Sequence, residues 1–244
     1  MKLTVLGCGD AFGNGGRSNT SFALCNDDGE YVLIDCGATT LIRLKQEKIS
    51  LHDISTVIIT HFHGDHYGGL PFLLICALFE HPRDHPLTII GPPEIEKRVF
   101  ALQEAMYPDT TSKLSNLTLS FLEYKAGSSL KHANKFVEAL EVKHSPASVP
   151  YGIRLNWENK IFAFSGDTSL TDSLFTISKN ADLFICECNY LHGSNYGHLS
   201  YEEINEIRDR LDCKQIWLSH MNDEVIDSKS ISINRLSDGL NIEF

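Results

Sequence analysis

No stretch of this sequence approaches 18 uninterrupted apolar residues, which excludes a long apolar membrane-spanning helix. The opening Met1-Lys-Leu-Thr-Val-Leu-Gly7 is too short an apolar run for a secretory signal and reads as a strand. Positive charge is scarce: 21 Lys+Arg stand against 32 Asp+Glu, a formal net charge of −11 at pH 7. Bulk nucleic-acid binding wants positive fields, so this balance argues against it. Bound divalent metals would add positive charge that the count omits. Cys-x-x-Cys is absent, and the seven cysteines (Cys8, Cys25, Cys36, Cys76, Cys186, Cys188 and Cys213) are odd in number and scattered. That suits buried thiols in a reducing, cytoplasmic setting better than a disulfide framework. Low-complexity tracts, short-period repeats and linkers rich in Pro, Gly or Ser are also missing. What is present is 244 residues, 42% of them hydrophobic, enough to bury a core. A single domain over residues 1–244 is the expected organisation.

Hydrophobic patterning predicts strands at 2–6, 21–25, 31–35, 56–59 and 87–90, with helices at 39–47, 71–79 and 94–106. Further strands are expected at 117–122, 136–142, 151–156, 161–164, 183–186 and 215–218. Helices are expected at 170–178 and 201–211; the last thirty residues give no clear pattern. Strands first, then a recurring mixture, suit two packed sheets with helices outside them.

Gly7-Cys-Gly9 follows a strand and invites a dinucleotide-binding reading. The third glycine of that fingerprint would fall on Phe12, and no clear helix follows, so a turn between strands is preferred.

The strongest signal is His61-Phe-His63-Gly-Asp65-His66, directly after an apolar strand. Imidazoles and a carboxylate suit zinc, iron or manganese. In an extended loop His61 and His63 project similarly and can grip one ion. Asp65 and His66 lie beyond the bend at Gly64 and can grip a second. Three more candidates stand at the ends of expected strands: His144, Asp167 and His220. A carboxylate is the natural bridge between two cations, which gives Asp167 that part.

Taken together, His61-x-His63-x-Asp65-His66, His144, Asp167 and His220 resemble the metallo-β-lactamase superfamily. Leu33-Ile-Asp35-Cys-Gly37 resembles its early Asp-x-Gly strand end, where the Asp is a supporting residue. The resemblance implies an α/β (α+β) fold, the four-layer αββα metallo-β-lactamase sandwich, with a dinuclear site at one edge of the sheets. It implies that His61, His63 and His144 hold one divalent metal and Asp65, His66 and His220 a second, bridged by Asp167. Zn2+ is the expected ion, with Mn2+ and Fe suiting the same ligands. True β-lactamases of the superfamily usually lack such a bridging Asp, so antibiotic hydrolysis is disfavoured.

Two cations lower the pKa of a bridging water toward neutrality and neutralise phosphate charge, and Asp65 can orient that water. Gly197-His-Leu-Ser200, preceded by Cys186-Glu-Cys-Asn189, resembles the tRNase Z-like phosphodiesterase branch. By that match His198 contacts the phosphate or protonates the leaving oxygen, and Glu187 orients His198. Ser200-Tyr-Glu-Glu203 is a capping box that starts a helix and brings its N-terminal amides near His198. Two departures stand out. Cys186-Glu-Cys-Asn189 replaces the usual His-Glu-Ala-Thr. The long arm that grips tRNA is missing between the strand at 151–156 and Asp167.

The expected function is therefore a dinuclear hydrolase acting on a small or cyclic phosphodiester through a metal-bridging hydroxide. The alternatives are a tRNA 3′-end endonuclease, a thioester hydrolase or an iron-dependent dioxygenase on the same fold. A non-catalytic metal module fits poorly with so complete a ligand set. RNA is the unfavoured substrate, no membrane partner is expected, and a homodimer is a family-level expectation. His81 and His85, beside Pro82 and Pro86, are expected to be exposed, and His52, His132 and His192 to lie at the surface. Tyr67 is expected to pack or line the pocket, and Cys186 and Cys188 to be buried thiols.

Overall fold

The computed structural model describes residues 1–81 and 85–244. In chain order the strands are β1 (Lys2–Gly7), β2 (Ser21–Cys25), β3 (Tyr31–Ile34), β4 (Ile54–Ile58), β5 (Leu87–Gly91), β6 (Leu119–Glu123) and β7 (Ser129–His132). They continue as β8 (Lys135–Glu141), β9 (Tyr151–Trp157), β10 (Lys160–Phe164), β11 (Leu183–Glu187), β12 (Ile216–Ser219), β13 (Asn234–Arg235) and β14 (Asn241–Glu243). The helices are α1 (Thr40–Gln46), α2 (Gly64–Tyr67), α3 (Leu70–Ile75), α4 (Ile95–Met106), α5 (Ser173–Ser178), α6 (Tyr201–Ile207) and α7 (Asp223–Asp227).

These elements fall into two compact units, one comprising Met1–Gly7, Ser18–Glu123 and Asp238–Glu243, the other Cys8–Arg17, Tyr124–Ser237 and Phe244. The first unit is built on a seven-stranded sheet in the order β14-β1-β2-β3-β4-β5-β6. Its strands pair antiparallel from β14 to β3 and parallel from β3 to β6. Every residue of β5 is buried, and so is all of β1 after Lys2. That is the continuous apolar run of a strand covered on both faces.

The second unit repeats the plan, with the order β13-β12-β11-β10-β9-β8-β7. Here β7 to β10 pair antiparallel and β10 to β13 parallel. In β8, Lys135, Val137 and Ala139 are buried while Phe136 and Glu138 are exposed, the alternation of a strand with one wet face. Its core gathers Leu174 and Ile177 of α5, Ile204 of α6, Phe184 of β11, Leu218 of β12 and Val225 of α7.

The expected strands and helices are present with small shifts at their ends. Three helices are shorter than their sequence pattern. The apolar run to Phe79 leaves α-geometry after Ile75 and continues as a π turn over Cys76–Glu80. The last helix of the pattern tightens into a 3₁₀ turn over Arg208–Arg210, and α5 begins only at Ser173. The strands β7, β13 and β14 and the helices α2 and α7 were not expected. β9 and β10 are joined through Glu158 and Asn159, both at positive φ (51° and 62°), a type I′ hairpin turn. The resemblance had placed the start of the missing tRNA arm in this part of the chain.

Asp182, just before β11, links the start of that strand to β10 and to the segment that leads into β12. Its Oδ2 accepts from Ile161 N–H (2.8 Å), and its Oδ1 accepts from Lys214 Nζ (2.7 Å). Burial pushes its carboxyl up, but Lys214, the Ile161 amide and Lys160 outweigh that, and the net direction is down. A carboxyl lowered by folding stabilises the protein above its unfolded pKa, and the gain is lost as pH falls through the folded value. Asp182→Ala should therefore lower unfolding free energy by about 1–3 kcal/mol at pH 7. The deficit should shrink below about pH 4, as checked by urea unfolding at both pH values.

Candidate metal and phosphoester site

In the first unit the ligand string leaves the end of β4, whose neighbour β3 ends one residue before Asp35. Asp35 turns into the left-handed region (φ 58°), which Asp tolerates better than most side chains. Its N–H donates to Ile58 O at 2.8 Å. Its carboxylate accepts from Thr60 N–H (2.7 Å), from Thr60 Oγ1–H (2.8 Å to Oδ2) and from His66 Nδ1 (2.7 Å). Burial pushes the Asp35 carboxyl up, and His66 and Thr60 oppose that. The supporting role expected for Asp35 therefore has a concrete form: it fixes the His66 ring.

With His66 Nδ1 engaged, its Nε2 stands 3.3 Å from Asp65 Oδ2. His61 Nδ1 lies 3.0 Å from Thr60 Oγ1, and its Nε2 lies 3.2 Å from His63 Nδ1. Gly37 is required for this arrangement. A Cβ there would come within 2.2 Å of Asp65 O, so only glycine lets the two segments approach.

In the second unit His144 follows β8, Asp167 follows β10 and His220 follows β12, while Glu187 ends β11 and His198 lies in the loop before α6. Asp167 Oδ2 stands 3.3 Å from His220 Nε2 and 3.9 Å from His144 Nε2. His144 is oriented through its Nδ1, 2.9 Å from Gly197 O. His220 sits at φ 54°; its N–H donates to Cys8 O, and its carbonyl accepts from Asn189 Nδ2–H at 3.1 Å. Glu187 is fully buried, and its Oε1 accepts from Thr168 N–H (2.7 Å) and meets His198 Nδ1 (2.9 Å). Burial pushes its carboxyl up against the pull of His198. The His198 ring stacks on His220, with centroids 5.2 Å apart and planes 17° from parallel.

Pairs of neighbouring donors within each unit have the spacing that a tetrahedral cation needs, while His144 Nε2 and Asp167 Oδ2, 3.9 Å apart, stand wider. Ligand bonds of roughly 2.0–2.1 Å place neighbouring donor atoms about 3.3–3.4 Å apart. The pairs His61–His63 (3.2 Å), Asp65–His66 (3.3 Å) and Asp167–His220 (3.3 Å) match that spacing. Fixing the far ring nitrogen by a carboxylate or a carbonyl, as for His66 and His144, is how metal-binding imidazoles are oriented.

Sequence reasoning did not single out Thr60, Thr168, Asp10 or Gly197 O. Asp10 organises the glycine-rich loop: it accepts from Phe12 N–H and Asn14 N–H, and its Oδ2 lies 3.4 Å from Asn189 Nδ2. The loop carries only a three-residue 3₁₀ turn, so no dinucleotide-binding helix follows it. The capping box is present, but the amides near His198 are already used. Ser200 N–H donates to Glu203 Oε2, Glu203 N–H to Ser200 Oγ and Tyr201 N–H to Tyr190 O. Cys186 and Cys188 are buried, and burial pushes both thiols up. His81, His85 and His192 are exposed, while His52 and His132 are half-buried. Pro82 lies outside the described residues. Tyr67 packs edge-on against Phe62 with centroids 5.4 Å apart.

Comparison with known proteins places this geometry. The sequence model of the anti-Pycsar protein Apyc1 family matches residues 1–235. The chain belongs to that family. A ribonuclease Z of Clostridium tetani is 27% identical over 93% of this chain and 90% of its own length. The crystal structure of the metallo-β-lactamase fold protein YhfI from Bacillus subtilis superposes with a TM-score of 0.80 at 22% identity, covering 99% of both chains. A diphosphatase from the PhnP family gives 0.77 at 18% identity, covering 100% of this chain and 97% of that one. The family member thus has the expected metallo-β-lactamase fold, the αββα sandwich, and is related to metallo-hydrolases. No helix among the described residues is long and apolar enough to cross a membrane.

Two substitutions probe the orienting contacts. Asp35→Asn should weaken metal retention about 10–100-fold, read by chelator competition. Gly197 lies at φ 83°, and a Cβ on it would stand 2.7 Å from His144 Nδ1. Gly197→Ala should therefore lower metal content while leaving the far-ultraviolet circular dichroism unchanged.

Proposed function

We propose that this protein is a dinuclear metal-dependent phosphodiesterase acting on a small or cyclic phosphodiester. The observation that carries the reading is the pairing of ligand-type donors at tetrahedral spacing with a histidine held by a buried acid, His198 on Glu187. The ligand assignment is His61, His63 and His144 for one ion, Asp65, His66 and His220 for the other, with Asp167 shared. It requires the two units to work as one domain. Zn2+ suits the donors, as do Mn2+ and Fe. When bound, two such cations lower the pKa of a shared water and neutralise phosphate charge.

The chain's own groups supply the rest. Asp65 accepts a hydrogen bond from the attacking water and orients it. His198, with Nδ1 held at Glu187 Oε1, presents Nε2 to the substrate and delivers a proton from that atom to the leaving oxygen. Glu187 is a positioning residue, because its carboxylate is occupied by Thr168 N–H and His198. The seven unbridged cysteines, five of them buried, suit a cytoplasmic setting. The macromolecular partner this reading allows is a second copy of the chain.

A tRNA 3′-end endonuclease is the second reading, favoured by the likeness to the Clostridium tetani ribonuclease Z. The two-residue turn between β9 and β10 and the net charge of −11 count against it. Precursor-tRNA cleavage tests it directly.

Hydrolysis of bis-p-nitrophenyl phosphate by metal-quantified protein tests the main reading. Activity should track two metals per chain, and Asp167→Ala should lose it by about a hundredfold or more together with metal. No turnover at full metal occupancy would sink the phosphodiesterase reading and leave thioester hydrolysis or iron-dependent oxygenation to be tried.

A further inference from the structure

The chain leaves α-geometry after α3, and the wider π turn that follows is closed by His81 N–H donating to Cys76 O at 2.8 Å. In an α-helix the residue four places on shares a face with the first, and the fifth turns away from it. Widening the turn by one residue brings both onto that face. Turns of this kind recur at functional sites. Here they gather a thiol, a carboxylate and an imidazole: Cys76, Glu80 and His81. One donor atom from each lies within 4.8 Å of the other two. Cys76 is buried, whereas Glu80 and His81 are exposed, so the group runs from the edge of the core to solvent.

The spacing suits a metal ion. Cys76 Sγ stands 3.5 Å from Glu80 Oε2, and His81 Nε2 stands 3.6 Å from Glu80 Oε1. Bonds of about 2.3 Å to sulfur and 2.0–2.2 Å to oxygen set a tetrahedral sulfur–oxygen pair roughly 3.5–3.6 Å apart. The first contact matches, and the exposed His81 ring has to close by only a few tenths of an ångström. Glu80 already holds a cation. Lys45 Nζ lies 2.8 Å and 3.0 Å from its two oxygens, which holds the carboxyl below its ordinary value. Lys45 is half exposed, and an exposed pair of this kind is readily exchanged. Burial pushes the Cys76 thiol up, and the contact with Glu80 adds to that. A metal ion therefore binds by displacing the thiol proton to solvent. Thiolate with imidazole suits ions of the zinc class, not magnesium or calcium.

We propose that Cys76, Glu80 and His81, wholly within the first unit, form a separate site for a zinc-class divalent ion, which takes the place of Lys45 at Glu80. Three protein donors on one turn leave the fourth position to water, so this ion is exchangeable. The proposal goes beyond the phosphodiesterase reading and does not depend on it.

The test is titration of the full chain, stripped of metal, with Co2+. The ligands assigned to the dinuclear site are imidazoles and carboxylates, so a thiolate-to-cobalt charge-transfer band in the near ultraviolet reports Cys76 alone. Wild type and Asp167→Ala should both develop the band, and Cys76→Ser should lose it. Glu80→Gln and His81→Ala change exposed side chains; each should weaken cobalt binding about tenfold or more, even if the Ser variant fails to fold. Lys45→Met should tighten binding about threefold by freeing Glu80. Absence of the band in wild type, its survival in Cys76→Ser, its loss in Asp167→Ala, or unchanged affinity in both Glu80→Gln and His81→Ala would overturn the proposal.

Discussion

A carboxylate taken fully out of water needs hydrogen bonds in place of the water, and each unit has one such acid beside its candidate ligands. Asp35 in the first unit and Glu187 in the second are both fully buried. Each accepts from the backbone N–H of a threonine at 2.7 Å, Thr60 and Thr168 respectively. Each also meets the Nδ1 of one histidine, His66 at 2.7 Å and His198 at 2.9 Å. The threonine amide locks the acid to the loop beyond a strand, and the acid locks the ring. An unsatisfied acid in either place would take up a proton, and the ring would lose the partner that sets its tautomer. The chemistry proposed for the site needs these two contacts as well as the donors.

Much of the candidate site was legible because its ligand-type residues stand at strand exits. The string His61 to His66 follows a run of apolar residues, and Asp167 and His220 do the same, so local sequence alone located them. The groups that orient them were not legible. Thr60 acts on a residue 25 positions earlier, and Gly197 O on His144 53 positions earlier. A threonine and a glycine carbonyl carry no mark of such a duty until the chain is folded. The strand pattern failed in the same way. β7 is half exposed, and β13 has two residues and β14 three, so neither alternation nor length could show them. They lie at the edges of their sheets, where a strand needs the least apolar surface.

Some of the backbone strain among the described residues lies beside the candidate ligands. Asp35, Val149 and His220 all take positive φ without being glycine. Such residues cost about 1–3 kcal/mol each and persist only where their surroundings over-determine them. Asp35 and His220 are held by hydrogen bonds that their N–H groups donate to Ile58 O and Cys8 O, and Val149 by its own turn. Part of the folding energy of each unit is therefore spent on aiming side chains.

The edge pairing of the first sheet bears on how the chain is made. β1 is bordered on one side by β2 and on the other by β14, with Lys2 opposite Glu243. On the ribosome, β1 is made before β14, so one row of its amides and carbonyls stays open until the residues between them have been synthesised. That vacancy is a template for a stray strand from a neighbouring nascent chain. The charged Lys2 at the end of that edge is suited to discourage such mispairing before the true partner emerges.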